Sequence, residues 1–495
     1  LENETVYKMF LKYCSLLLLF NYNFASGFGF FDIGNTFNHL NIELSSLVPL
    51  LDFSTRTRWI NQNLDHFDPQ ERRKWNMRYF EGLNYWKLGG PIYLFLGGES
   101  PASSQWISTG IMYDLAKETN GAMFVSEHRY YGQSKPLNTT DVKNFKYLSA
   151  RQALADNAEL LKSIKKLPIF TNSKVVVIGG SYSANLAAWM RLMYPELVDA
   201  AIASSGPVLA KTDFYEYLEK VNDNYEQYGT PGCLDNIRNI FRRYDKLLQS
   251  SEGIEKLKKE ENICSECDLT ISDNQQVFFS YKVSDFMYNS QYGNTNIINN
   301  HCKDLYRSLE PRTSQNASKP NFWSERTRCY CYDFNAMINE YRAEENDWIF
   351  TWIYQTCTEF GYFQTTTSNS QPFTDNIRLD FYTKICTELF GADFDKERVD
   401  AGVEKTNEIY GGLTPNVTKV VFSNGDLDPW STLSVLEDLS YNAPAVVISR
   451  SSHCRDLFSN RKGDNEELKE AREQIKYLIK NWIGAVIENL VIFLY

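Results

Sequence analysis

The sequence predicts an α/β fold, a largely parallel sheet whose chain is interrupted by a long helical insert. Three observations carry this. Six short runs, at 91–96, 122–126, 174–178, 200–203, 419–422 and 445–448, are predominantly apolar. Strands buried on both faces of a parallel sheet read this way. Segments with apolar residues at helical spacing, 150–166 and 185–194 among them, lie between the earlier runs, and such alternation is the α/β pattern. From about residue 209 to 406 strand-like runs thin out, and eight of the ten cysteines gather there.

The elements follow in chain order. Met9, Lys12, the apolar run 16–20 and the small residues Ala25-Ser26-Gly27 form the order of a secretory signal peptide, placed at 9–27. That run is shorter than the roughly 20 apolar residues needed to cross a bilayer, and the tail 485–495 is too short as well. No membrane span is expected. The core then runs over 55–208, the helical insert over 209–406, and the rest of the core over 407–484, ending in an amphipathic helix at 466–483. A polar helical stretch at 236–262 typifies the insert.

The insert's cysteines are Cys233, Cys264, Cys267, Cys302, Cys329, Cys331, Cys357 and Cys386. Clustered and even in number behind a signal peptide, they read as disulfides of unassigned pairing. Cys264-x-x-Cys267 and Cys329-x-Cys331 offer zinc as the rival reading, but no pair of histidines accompanies them. Cys454 is left over, either a thiol or the partner of an insert cysteine. Sequons at Asn138, Asn316 and Asn416 are glycosylation acceptors in that compartment. The expected location is the secretory pathway, extracellular or lysosomal. With 51 basic against 62 acidic residues, the net charge of −11 argues against a nucleic-acid partner.

Chemistry enters at the run ends. Gly179-Gly180-Ser181-Tyr182-Ser183-Ala184 follows a strand and opens a helix, the setting of a nucleophile elbow, with Ser183 where the G-x-S-x-G form has glycine. A serine hydroxyl needs a base, and the base needs an orienting acid. Of five histidines, His39 lies before the core, His66 before the first strand, and His301 in the insert. His128 sits among Arg129, Tyr130 and Tyr131, which suggests a buried network. His453 follows the last strand, where this fold delivers its base. Asp426 and Asp428 end the strand before it. The order Ser181, Asp428, His453 is that of the α/β hydrolases.

Leu64-Asp65-His66-Phe67, Glu127-His128-Arg129-Tyr130-Tyr131-Gly132-Gln133-Ser134, the GGSYSA segment, Asn424-Gly425-Asp426-Leu427-Asp428-Pro429-Trp430 and His453-Cys454-Arg455-Asp456-Leu457 together resemble the secreted and lysosomal serine peptidases. That family includes prolyl carboxypeptidase, dipeptidyl peptidase II and thymus-specific serine protease, and the His-Cys pair is most similar to the last branch. The resemblance runs from about Trp59 to Ile483. It implies an α/β-hydrolase core with a disulfide-stapled helical cap, Asp428 rather than Asp426 as the acid, and exopeptidase action beside proline. Two positions depart from the family. Ala184 stands where glycine is usual, and polar Asn185 where the proline-specific members have an apolar residue.

Read as acyl transfer, Ser181 is the nucleophile, His453 the base and Asp428 its orienting acid. The N–H groups of Tyr182, Gly98 and Glu99 are expected at the oxyanion, and Trp430 in the wall of the substrate pocket. Glu99 and Glu127 are weighed as partners for a substrate amino terminus, against a merely buried or solvated carboxylate. Peptides are the expected partners, with a homodimer left open against a monomer. No metal or organic cofactor is required. An esterase or lipase of the same fold, or a catalytically weak peptide-binding homologue, are the rivals.

Overall fold

The computed structural model describes residues 55–139, 141–309, 329–343 and 347–485. The expected signal peptide, His39 and the Asn316 sequon lie outside them. Asn138 and Asn416 are within, both exposed.

Eight strands form one sheet: β1 (Arg56–Asn63), β2 (Lys74–Gly82), β3 (Ile92–Phe95), β4 (Ala122–Ser126), β5 (Val175–Gly180), β6 (Ala200–Ser204), β9 (Val420–Gly425) and β10 (Ala445–Ile448). Their order is β1-β2-β4-β3-β5-β6-β9-β10. β1, β2 and β4 pair antiparallel, and from β4 onward every pair is parallel. The six parallel strands are the six runs expected from their apolar content. β1 and β2 were not anticipated. β1 is mostly exposed, with Arg56, Thr57 and Arg58 on its outer end, so an edge hairpin of this kind carries no continuous apolar run.

Side chains alternate across the sheet, as the two-residue period of a strand requires. Ile92, Leu94, Val175, Val177, Ala201, Ala203, Val420 and Phe422 belong to one buried cluster. Their neighbours Tyr93, Phe95, Val176, Ile178, Ala200, Ile202 and Val421 belong to the other. Helices Ile111–Thr119 and Glu466–Trp482 cover this second face, through Ile111, Leu115, Ile475 and Ile479. The terminal helix is well delimited: Asn465 accepts the Leu468 N–H as its N-cap, Glu466 and Glu467 sit in its first turn, and Lys480 in its last.

The first face is covered by helices Ala150–Lys165 and Tyr182–Met193, and its apolar cluster continues unbroken into the chain between β6 and β9. That chain is helical for most of its described length. Among the described residues its longest helix is Ser272–Tyr292, and helix Asp347–Gln355 runs on through Thr356–Phe360 into the short strand Gly361–Phe363. The stretch expected as one helix at 236–262 is two, Cys233–Leu248 and Ser251–Glu260, because Ser250 breaks off to cap the second by accepting the Gly253 N–H. A parallel pair, β7 (Lys211–Asp213) with β8 (Gly361–Phe363), is also present. Both strands have three residues, too short to register as apolar runs.

Disulfides join Cys233 to Cys302, Cys264 to Cys329, and Cys357 to Cys386. Bridging occupies Cys264 and Cys329, which removes them as zinc ligands. Two of the eight insert cysteines, Cys267 and Cys331, are thiols, as is buried Cys454. Among the described residues no helix is long and apolar enough to cross a membrane.

Candidate active site

β5 ends in Gly179-Gly180 and turns at Ser181 into helix Tyr182–Met193. Ser181 has φ 56° and ψ −129°, a left-handed backbone that a non-glycine residue holds only under strain. The turn is tight. A Cβ on Gly179 would lie 1.9 Å from the Ser183 carbonyl oxygen, so only glycine fits there. The Ser183 hydroxyl accepts the Gly180 N–H at 2.9 Å and donates back to the Gly180 carbonyl at 3.0 Å. A hydroxyl thus ties the turn at the position where the common motif has glycine. Ala184 is accommodated because Gly206 faces it: a Cβ added to Gly206 would stand 2.9 Å from the Ala184 Cβ.

The neighbouring strand ends deliver the other groups. The Ser181 N–H donates to the Ser204 carbonyl at the end of β6, and the Ser205 N–H to the Ser423 carbonyl on β9. Past β9, Asp428 caps a short turn of helix by accepting the Trp430 N–H on Oδ1 at 3.0 Å. Its Oδ2 is 2.6 Å from His453 Nδ1, and both side chains are wholly buried. A carboxylate can only accept, so Nδ1 carries the proton and Nε2 presents its lone pair. Nε2 is buried and makes no hydrogen bond. The structure therefore joins Asp428 to His453 and brings the Ser181 turn alongside, without a Ser181–His453 hydrogen bond. Asp426, the rival acid, is turned elsewhere: its carboxylate takes hydrogen bonds from the backbone of Arg450 and Ser451, and burial raises its pKa.

The Tyr182 N–H lies in the first turn of its helix, where no intrahelical acceptor exists. The Tyr182 side chain is locked in a buried chain of polar contacts. His128 Nδ1 meets the Arg129 carbonyl at 2.7 Å, and its Nε2 meets the Tyr182 hydroxyl at 3.0 Å. A carbonyl only accepts, so Nδ1 bears the proton and Tyr182 donates to Nε2. Gln355 Nε2 then donates to the Tyr182 oxygen at 3.0 Å, and Tyr131 donates to Gln355 Oε1 at 2.7 Å. Burial keeps His128 neutral, lowering its pKa to about 4.

Glu127 does not reach toward a substrate. Arg78 clasps its carboxylate, which also receives the Ala102 and Gln133 N–H groups and the Ser134 hydroxyl. Glu99 is fully buried, and its charge is felt by Tyr131 and Tyr182. His66 is structural, 2.7 Å from Asp156, which also holds Arg129 by two contacts. Trp430 is 3% exposed and ringed by Phe214, Tyr217 and Tyr362. Polar Asn185 lies within this neighbourhood, donating to the Pro207 carbonyl and the Tyr362 hydroxyl. A cavity of about 420 Å³ is lined by Tyr292, Arg450, Ser451, Ser452 and Arg455 among others, and neither Ser181, Asp428 nor His453 lines it.

Sequence reasoning missed Gln291 and Gln355, which lie on helices between β6 and β9 and reach Trp430 and Tyr182. Nothing local marks either residue, because each matters only through where its helix is packed.

Residues 62–475 match the sequence profile of serine carboxypeptidase S28. The chain belongs to this family of serine peptidases. Its S28 relatives include a putative serine protease (K12H4.7) of Caenorhabditis elegans, 34% identical, with 89% of this chain and 91% of that one aligned. The thymus-specific serine protease of Mus musculus is 31% identical over 86% of this chain and 87% of its own. The lysosomal Pro-X carboxypeptidase of Bos taurus is 29% identical over 88% and 89%. Membership agrees with the α/β-hydrolase sheet order and makes this chain a serine-type peptidase.

Proposed function

We propose that this S28 peptidase is an exopeptidase that forms an acyl-enzyme on Ser181, with His453 as general base and Asp428 as the group that orients it. The observation that carries the reading is the 2.6 Å contact between wholly buried Asp428 and His453 Nδ1, past the ends of β9 and β10, with only β6 between β9 and the strand that ends in the strained Ser181 turn. In the first step Ser181 Oγ attacks the scissile carbonyl while Nε2 takes its proton. The imidazolium that forms is stabilised by Asp428, then gives its proton to the leaving amine. Water repeats the cycle on the acyl-enzyme. The free lone pair on Nε2 is what this step needs, and the Ser–His hydrogen bond is of the kind that tightens on substrate binding.

Backbone N–H groups of Tyr182, Gly98 and Glu99 would hold the oxyanion, and losing one such donor typically costs about 2.7–4 kcal/mol. Trp430, in its aromatic box, would wall the pocket for the residue at the cleaved bond. The Pro-X relatives support cleavage beside proline, while Asn185 places a polar group close to that pocket and argues for a broader preference. The same relatives support a lysosomal or secreted location, in keeping with the expected signal at 9–27 and the exposed acceptors Asn138 and Asn416.

The test is hydrolysis of a panel of proline-containing peptides, blocked at one end or the other, by wild type and Ser181→Ala from about pH 4 to 8. Cleavage from a free end by wild type and none by the variant is the expected result. Ester hydrolysis without peptide cleavage would favour the esterase reading, and binding without turnover a peptide-binding homologue.

A further inference from the structure

Four hydrogen bonds close a ring around the acid and the base. His453 Nδ1 meets Asp428 Oδ2 at 2.6 Å. Asp428 Oδ1 accepts the Trp430 backbone N–H at 3.0 Å. The Trp430 indole N–H donates to Gln291 Oε1 at 3.0 Å. The Gln291 carbonyl accepts the His453 backbone N–H at 2.9 Å. Two of the four links end on one residue, and that residue belongs to helix Ser272–Tyr292 of the insert, not to the sheet.

From this ring we infer that Gln291 is a positioning residue, which holds the Asp428 and His453 loops in register and so makes the chemistry depend on the seating of the insert. The inference rests on the triad reading above.

The surroundings support the role. Gln291 is fully buried. Its Oε1 also receives the Tyr217 hydroxyl at 2.6 Å, and its Nε2 donates to the Tyr292 hydroxyl at 2.7 Å. Both ends of the amide are thus used, which fixes its orientation. The Tyr292 ring stands edge-on to the His453 ring, with centroids 6.1 Å apart. Asn224, on another insert helix, donates to the Leu427 carbonyl at 2.7 Å, one residue before the acid. His453 and Asp428 lie on separate loops with twenty-four residues between them, and a sheet alone does not set the relative height of two loops. A crosslink from a third element does.

Gln291→Met keeps the length of the side chain and the backbone link but removes the bonds to Trp430, Tyr217 and Tyr292. The expected result is a fall in kcat of about 10- to 100-fold, the size of effect a small misplacement of reacting groups produces, with KM within about threefold. Gln291→Glu keeps an acceptor for Trp430 and Tyr217 and reverses the link to Tyr292, whose hydroxyl would then donate, and should recover most of the lost kcat. In a double-mutant cycle with Trp430→Phe, the pair should cost little more in kcat than Gln291→Met alone, because the bond that Trp430→Phe breaks is already lost there.

A Gln291→Met enzyme that retains kcat within about twofold, or strict additivity with Trp430→Phe, overturns the proposal. If Gln291→Met does not fold, Gln291→Glu and Trp430→Phe decide: the first must keep kcat and the second lose it. Ser181→Ala assayed alongside separates the two readings, since residual cleavage in that variant would defeat the triad itself rather than the role of Gln291.

Discussion

Replacing Glu359 by Gln probes a buried carboxyl that couples the insert to the core. Glu359 accepts the Ala150 N–H on both oxygens, at 3.0 and 3.1 Å, at the start of helix Ala150–Lys165. Gln355 and Lys405 also favour its charged form, but burial outweighs them and lifts its pKa from the ordinary 4.5 to about 7. A carboxyl whose folded pKa is raised binds its proton more readily in the folded chain. Its contribution to stability is therefore full below about pH 4.5 and is lost as pH rises through about 7. At about 1.4 kcal/mol per pH unit, the gap between the two values amounts to about 3 kcal/mol.

His128 works in the opposite sense. Burial lowers its pKa from 6.5 to about 4, so its contribution is full above about pH 6.5 and is lost as pH falls toward 4. A wild-type stability curve alone would mix the two, and the difference between wild type and Glu359→Gln isolates the carboxyl. The amide still offers an oxygen to the Ala150 N–H. Urea unfolding from about pH 5 to 8 should find the two proteins alike at the acid end and the variant more stable by about 2–3 kcal/mol at the alkaline end. A difference that stays constant across the range would refute the argument.

Three further outcomes follow from the geometry. Gly206→Ala should destabilise the protein and reduce turnover, because its methyl would meet the Ala184 Cβ at 2.9 Å and Asn185 Oδ1 at 3.0 Å; adding Ala184→Gly should recover part of the melting temperature and rate by removing the first of these contacts. Tyr182→Phe strips a partner from both His128 and Gln355, and thermal or urea unfolding should register a loss of about 1–3 kcal/mol for each buried polar group left unmade. Cys267 and Cys331 share a sulfur hydrogen bond, so protein made through an oxidising secretory route should carry a fourth bridge between them. Peptide mapping without reductant would find it, and alkylation of both thiols in native secreted protein would count against it.

The parallel strands and the residues at their ends were legible because local sequence determines them. Buried parallel strands must be apolar on both faces, and a tight strand-to-helix turn must be built from small residues. Gly179 shows the second rule, since a side chain there would collide with the Ser183 carbonyl. The choice of Asp428 over Asp426 was not available from local pattern and came from the resemblance. In the fold the two differ plainly: Asp428 faces His453, while Asp426 is held by the backbone of Arg450 and Ser451. The edge strand β1 escaped notice because most of its side chains are in solvent, and β2 because it alternates, with Trp75 and Met77 buried between exposed Lys74 and Asn76, and so has no continuous apolar run.

The glutamines mark a different limit. Gln291 lies in Ser272–Tyr292, a helix with Asn274, Gln276, Ser280, Ser284 and Ser290 also buried, so its polarity alone does not single it out. Its partners Trp430 and His453 lie more than a hundred residues away, on the far side of the insert's return to the sheet. Gln355 reaches Tyr182 across a comparable separation. Both are roles assigned by packing between two halves of the chain, and a helix shifted by one residue would present a different side chain to each loop. That sensitivity is itself informative. If the seating of the insert sets the register of acid, base and oxyanion donor together, substitutions that loosen its disulfides should depress turnover before they unfold the sheet. Cys233–Cys302 joins helix Cys233–Leu248 to helix Thr295–Leu309, which begins just after Tyr292, and Cys302→Ser should therefore lower kcat at temperatures where the sheet's circular dichroism is still intact.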